Sequence, residues 1–107
     1  MKIAKTDLIF LPLGGSSEIG MNSNLYHYND SWIMVDLGIS FADESLPGID
    51  VLLPDINFIV ERKDKLKGIF LTHGHEDHMG AIQYIWDKLR APIYGSPFTI
   101  ALLKKKL

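Results

Sequence analysis

The order of patterned segments predicts an α/β fold, with strands and a hairpin first and a β-α-β-α run after them. Three observations carry this expectation. Two strand-like runs flank Asn29-Asp30-Ser31. A buried-type apolar run, Gly68 to Thr72, is followed by apolar residues at three- and four-residue steps. A second strand and helix pair then begins at Ile93. The chain has 107 residues, 47% hydrophobic and 22% charged, enough to bury a core and too apolar for wholesale disorder.

Taken in order, Thr6 to Leu13 reads as a β-type run ending at Gly14-Gly15, with a loop through Ser16-Ser17-Glu18-Ile19-Gly20. Asn24 to Tyr28 and Trp32 to Asp36 form the hairpin. Gly38 to Pro54 is mostly loop, broken by Pro47, Gly48, Asp50 and Pro54. Asp55 to Glu61 fits a short helix, with Asp55 as its cap and Ile56, Ile59 and Val60 as its buried stripe. Gly68 to Thr72 is a strand. From His78 the spacing of Met79, Ile82, Ile85, Trp86 and Leu89 predicts one helix through Arg90, ended by Ala91-Pro92. Ile93 and Tyr94 begin another strand. Ser96 and Pro97 supply the cap and first-turn proline of a last helix, which runs into Lys104-Lys105-Lys106-Leu107 without a stop signal. The chain therefore reads as cut at that end.

Charge and composition exclude several functions. Eleven Lys and Arg against 13 Asp and Glu leave a net charge of -2, which gives no long-range attraction for nucleic acid. There is no cysteine, so disulfides, thiolate nucleophiles and Cys-ligated metals are ruled out. No segment approaches the ~18–20 apolar residues of a membrane span. A cytoplasmic location, without membrane contact, fits these facts.

The chain has four histidines, and three of them fall in His73-Gly74-His75-Glu76-Asp77-His78. This run follows a strand and opens a helix, at the sheet edge where ligands collect in α/β folds. Near-extended backbone sends His73 and His75 to one side, toward one ion. Asp77 and His78, adjacent at the helix start, are placed to face a second. Gly74 lets the backbone bend and keeps a side chain out of the crowded centre. Imidazoles with a carboxylate suit zinc, with manganese or iron as alternatives. A polar loop with incidental histidines is the competing reading, and clustering at a strand end disfavours it. Four side chains do not complete a two-metal hydrolytic site. Asp36, ending an apolar strand, either orients a metal-ligating histidine or caps a turn, and the histidine cluster favours the first role.

The His73-x-His75-x-Asp77-His78 run, with Asp36 on an earlier strand, resembles the signature of the metallo-β-lactamase superfamily. Gly14-Gly15-Ser16-Ser17-Glu18-Ile19-Gly20-Met21-Asn22, Gly48-Ile49-Asp50, Pro54-Asp55, Lys67 through His78 and Pro92-Ile93-Tyr94-Gly95 are similar to its ribonuclease J branch. The resemblance implies the first portion of an αββα sandwich and a pair of zinc ions. His73 and His75 would ligate one ion and Asp77 and His78 the other. Asp77 and His78 would stand closest to the chemistry, with Asp36 behind the ligands. It further implies an RNA-degrading enzyme, 5′-to-3′ exonuclease and endonuclease, in which a hydroxide held between the ions attacks the phosphorus.

The branch takes a further histidine, a bridging aspartate and a last histidine from regions far downstream, and it carries an insert domain. After His78 this chain has no histidine, and its only later acid is Asp87. The expectation is an N-terminal portion, residues 1–107, of a longer enzyme that is inactive alone and a homo-oligomer at full length. The isolated piece is expected to self-associate or to be marginally stable. Two other readings share the metal motif: a thioesterase or esterase of the same superfamily, and a non-catalytic metal-binding module.

Weaker signals remain. Gly14, Gly15 and Glu18 are read as a tight loop near the metal centre, since the glycines lack the Lys-Ser/Thr of a phosphate loop. Arg62, Lys63, Lys65, Lys67 and the terminal lysines read as solvated faces. Trp32, Trp86 and the Met79/Ile82/Ile85/Leu89 stripe read as core, and His27 as a surface or interface residue.

Overall fold

The computed structural model describes residues 2–14, 22–41 and 51–107, and the side chains of these except 40, 41, 51, 52, 76 and 77. Seven strands and four α-helices are present among the described residues: β1 (Ile9–Gly14), β2 (Ser23–Tyr28), β3 (Ser31–Val35), β4 (Ser40–Phe41), β5 (Val51–Leu52), α1 (Asn57–Val60), β6 (Leu66–Phe70), α2 (Glu76–Met79), α3 (Ile82–Leu89), β7 (Ile93–Tyr94) and α4 (Pro97–Lys104). The main sheet has the order β1-β2-β3-β6-β7. Its first three strands run antiparallel, and β3, β6 and β7 run parallel. This is the predicted arrangement of hairpin first and β-α-β-α after.

The hairpin follows from its turn chemistry. Asn29 and Asp30 have φ of 52° and 59°, as a two-residue type I′ turn requires, and Asn and Asp tolerate that region better than other side chains. Ser31, expected in the turn, is instead the first residue of β3 and pairs with Tyr28. At the same end Lys65 Nζ bonds Asp30 Oδ1 at 2.9 Å, clipping the hairpin to the 3₁₀ turn Lys63–Lys65 that leads into β6. That bond holds the Asp30 carboxyl below the ordinary aspartate range.

Register decides what is buried. Leu25, Met34, Ile69 and Ile93 lie side by side across the strands, as do His27, Trp32 and Leu66. This face packs against Ile59 of α1 and Ile82, Ile85 and Leu89 of α3, with Met79 and Leu103 in the same core. His27 is therefore interior, not the surface or interface residue expected. Its Nδ1 sits 2.7 Å from the carbonyl of Asp7, and its ring lies against Trp32 at 4.8 Å. The opposite face carries Phe10, Tyr26, Tyr28, Phe70 and Tyr94, all exposed. Gly68 lies on that face beneath the stacked Phe70 and Tyr94 rings, and a Cβ there would come within 2.8 Å of Tyr94.

Several boundaries differ from the expectation. Strand β6 begins two residues before Gly68 and ends at Phe70, which leaves Thr72 in the loop beyond it. The region read as loop contains the short β4-β5 ribbon. Asp55 lies one residue before the α1 cap position, yet its carboxylate still accepts the Asn57 N–H at 3.0 Å. The helix expected from His78 to Arg90 is divided into α2 and α3. Between them the Ala81 N–H donates to the Leu37 carbonyl at 3.0 Å, a tertiary bond in place of a helical one. Trp86 is half-buried, its indole N–H donating to the Ala91 carbonyl at 2.9 Å. The Ser96 cap and Pro97 are as expected, with Ser96 Oγ accepting the Thr99 N–H at 3.1 Å.

Arg90 closes α3 in the left-handed region at φ 50°, where a side chain is strained and glycine is not. Its exposed ion pair with Asp87 offsets little of that cost. Arg90→Gly should therefore stabilise the chain by about 0.5–1 kcal/mol, read as a higher midpoint in urea denaturation.

Candidate metal centre

Strands β3 and β6 are parallel neighbours, so their carboxyl ends meet at one edge of the sheet. There the chain leaves β3 at Asp36 and leaves β6 through Leu71, Thr72 and His73. The Asp36 N–H donates to the Phe70 carbonyl at 2.8 Å. Asp36 itself stands at φ 65°, a left-handed conformation that turns the backbone out of the sheet. Its carboxylate is buried and fully engaged: Oδ1 accepts the Thr72 N–H at 2.8 Å, and Oδ2 accepts the Thr72 hydroxyl at 2.7 Å. His78 Nδ1 lies 2.8 Å from the same Oδ2. Asp36 thus contacts the His78 ring and also holds the turn at Thr72.

The following segment fastens α2 in place. The Leu37 N–H donates to the His78 carbonyl at 2.7 Å, while Leu37 is fully buried in the core. His78 is thus gripped by its backbone and by its ring. The His73 ring centre is 4.5 Å from that of His78 and 6.3 Å from that of His75, the latter pair nearly parallel at 21°. Two imidazoles on one tetrahedral zinc stand roughly 5 Å apart between ring centres. His73 therefore lies close to His78 and farther from His75, and both His73 and His75 are exposed. Among the described residues, no group of three or more His, Asp or Glu closes on a single point as a finished ion cage does. The Asp77 side chain lies outside the described residues.

The crowding that Gly74 relieves comes from α4. A Cβ there would meet Leu102 of α4 at 2.8 Å and Thr99 at 3.5 Å, so the space it spares belongs to α4. Gly14 ends β1 opposite Ser23, and the Gly38 N–H donates to the Asn22 carbonyl at 2.9 Å, which brings the start of β2 beside the Asp36 turn. Gly15 and Glu18 lie outside the described residues. The basic stretch is at the other end of the sheet. Arg62 covers the Phe58 ring at 3.9 Å and donates to the Phe58 carbonyl, and Lys65 holds Asp30. A cavity of about 400 Å³ at that end, lined by His27, Trp32, Arg62 and Lys65 among others, contains none of the expected site residues.

Sequence reasoning missed Thr72, whose hydroxyl touches Asp36, His73 and His78. The available signal was a hydroxyl residue immediately before the first histidine of the cluster.

Fold and site together define a class. Residues 19–106 match the family described as the metallo-beta-lactamase superfamily, and the chain belongs to it. Membership implies metal dependence. Within that class the chain is similar to Ribonuclease J of Sinorhizobium meliloti, 51% identical over 104 residues that cover 94% of this chain and 18% of that protein. It is also similar to Ribonuclease J 2 of Staphylococcus aureus NCTC 8325, 46% identical over all 107 residues, which cover 19% of that protein. The chain thus spans about a fifth of the length of the curated relatives it matches.

Asp36 combines a left-handed backbone with buried acceptors for Thr72 and His78. Asp36→Ala should cost about 2–4 kcal/mol in equilibrium unfolding, because the Thr72 amide loses its partner and alanine tolerates that φ poorly. Asp36→Asn, which tolerates the turn and keeps one carbonyl acceptor, should cost less than half as much.

Proposed function

We propose that the chain is part of a zinc-dependent ribonuclease acting in the cytoplasm on RNA phosphodiesters, with His73, His75, Asp77 and His78 as its ligands for divalent cations. The observation that carries this reading is the network from Asp36 and Thr72 to His73 and His78 at the carboxyl edge of the parallel strands. The names of the relatives support RNA as the substrate, and the opening-loop resemblance supports the same choice. Zinc suits neutral imidazoles with a carboxylate, and manganese is the alternative ion.

The donor set fits such an ion in one specific respect. A histidine whose Nδ1 hydrogen-bonds a carboxylate presents the lone pair of Nε2 outward, which is how metal-bound histidines are usually held. His78 has that arrangement with Asp36. Bound divalent cations supply activation of water and neutralisation of charge on a phosphoryl oxygen. The chain's own contribution is positional. Asp36 anchors the His78 ring, the Leu37 N–H holds the His78 backbone, and α4 backs the loop between His73 and His75. The remaining ligands that a two-ion site needs would come from parts of the protein beyond these residues.

The test is turnover by the full-length protein on 5′-monophosphorylated RNA and on a thioester. RNA cleavage should stop with a chelator, return with a divalent cation, and fall at least 100-fold in His73→Ala and His78→Ala. Thioester hydrolysis without RNA cleavage would overturn the reading. The 107-residue chain alone should bind RNA weakly and cleave none.

A further inference from the structure

We infer that Thr72 is a positioning residue for the metal centre: its hydroxyl selects the His73 tautomer that turns the Nε2 lone pair toward the ion. The inference rests on the metal reading proposed above and goes beyond it by assigning a role to a residue outside the ligand motif.

The argument is one of donors and acceptors. Thr72 Oγ1 has a single proton and three neighbours: Asp36 Oδ2 at 2.7 Å, His73 Nδ1 at 2.9 Å and His78 Nδ1 at 3.3 Å. An ionised carboxylate only accepts, so a 2.7 Å approach to it requires the hydroxyl proton to lie between the two oxygens. The charge-assisted bond to Asp36 is also the stronger claim on that proton. The hydroxyl then has only lone pairs to offer His73. Its 2.9 Å contact is a hydrogen bond only if His73 Nδ1 carries the ring proton, and in a neutral imidazole the lone pair then resides on Nε2. The same count gives His78 its Nδ1 proton through Asp36 directly, with the 3.3 Å contact to Thr72 as a minor branch. One carboxylate therefore sets both rings, His78 by contact and His73 through the threonine hydroxyl.

Placement supports this chain of bonds. The Thr72 N–H is held by the other Asp36 oxygen at 2.8 Å, so both ends of the threonine are fixed by one buried group. The hydroxyl cannot rotate away without giving up the Asp36 contact. A β-branched aliphatic residue would keep the backbone bond and the packing while removing the relay.

The experiment compares full-length protein with Thr72→Val and Thr72→Ser. Two quantities are read: imidazole ¹⁵N chemical shifts in metal-free protein, and zinc affinity by competition with a chelator. In Thr72→Val, His73 should lose its Nδ1–H signature while His78 keeps it, and zinc affinity should fall about tenfold. Thr72→Ser should restore both to within about twofold. Unchanged His73 shifts in Thr72→Val overturn the inference whether or not affinity falls, since affinity alone also reports packing. Should Thr72→Val fail to fold, Thr72→Ala against Thr72→Ser gives the same decision. Wild-type protein that binds no divalent cation would instead overturn the metal reading.

Discussion

A carboxylate taken out of water must find donors, and Asp36 finds them on two other segments of the chain. Its oxygens accept from the amide and hydroxyl of Thr72, beyond the end of β6, and from the ring of His78 in α2. Two points 36 and 42 residues further along the chain are thus tied to one group. The left-handed backbone at Asp36 is what aims the carboxylate into this position, and the donors it collects offset the strain. Were this group absent, the Thr72 amide and hydroxyl and the His78 ring would lose their shared partner, and backbone bonds alone would hold the loop after β6 against the end of β3.

The rest of the fold serves that meeting. Parallel pairing of β3 with β6 brings their carboxyl ends to one edge, and the antiparallel hairpin places the start of β2 beside them. The core lies against the sheet face that carries Leu25, Met34 and Ile69, so the edge above it has a rigid base. Leu37, immediately after Asp36, is buried in that core and also donates to the His78 carbonyl. Packing energy is thereby coupled to the orientation of a histidine. Basic residues that composition alone could assign to RNA binding are used at the far edge, where Arg62 covers Phe58 and Lys65 grips Asp30.

Much of this was readable from local pattern. Trp32 reads as core from its residue type and place, and Asn29-Asp30 encodes a tight turn through residues that tolerate positive φ. The cap at Ser96 and the proline after it start α4 where a short-range rule says they should. The departures share a cause. Helices α2 and α3 are separate because the Ala81 amide is claimed by Leu37, a partner more than forty positions earlier, which no local period reports. His27 is interior because its ring meets Trp32 and the Asp7 carbonyl, both supplied by other strands or loops. Asp55 kept its bond to a helical amide while the helix began one residue later, a shift that local preference does not resolve.

Residue types and spacing by themselves established a hairpin followed by β-α-β-α, a histidine cluster at a strand end, and the superfamily to which the chain belongs. These are consequences of short-range chemistry: turn residues, apolar periodicity and ligand types packed into one run. Which histidine Asp36 touches, the relay through Thr72 and the contact of Gly74 with α4 came only from the folded chain. Each depends on segments distant in sequence meeting at one sheet edge, and the orientation of a hydroxyl or an imidazole is set by whichever donor or acceptor that meeting brings within 3 Å.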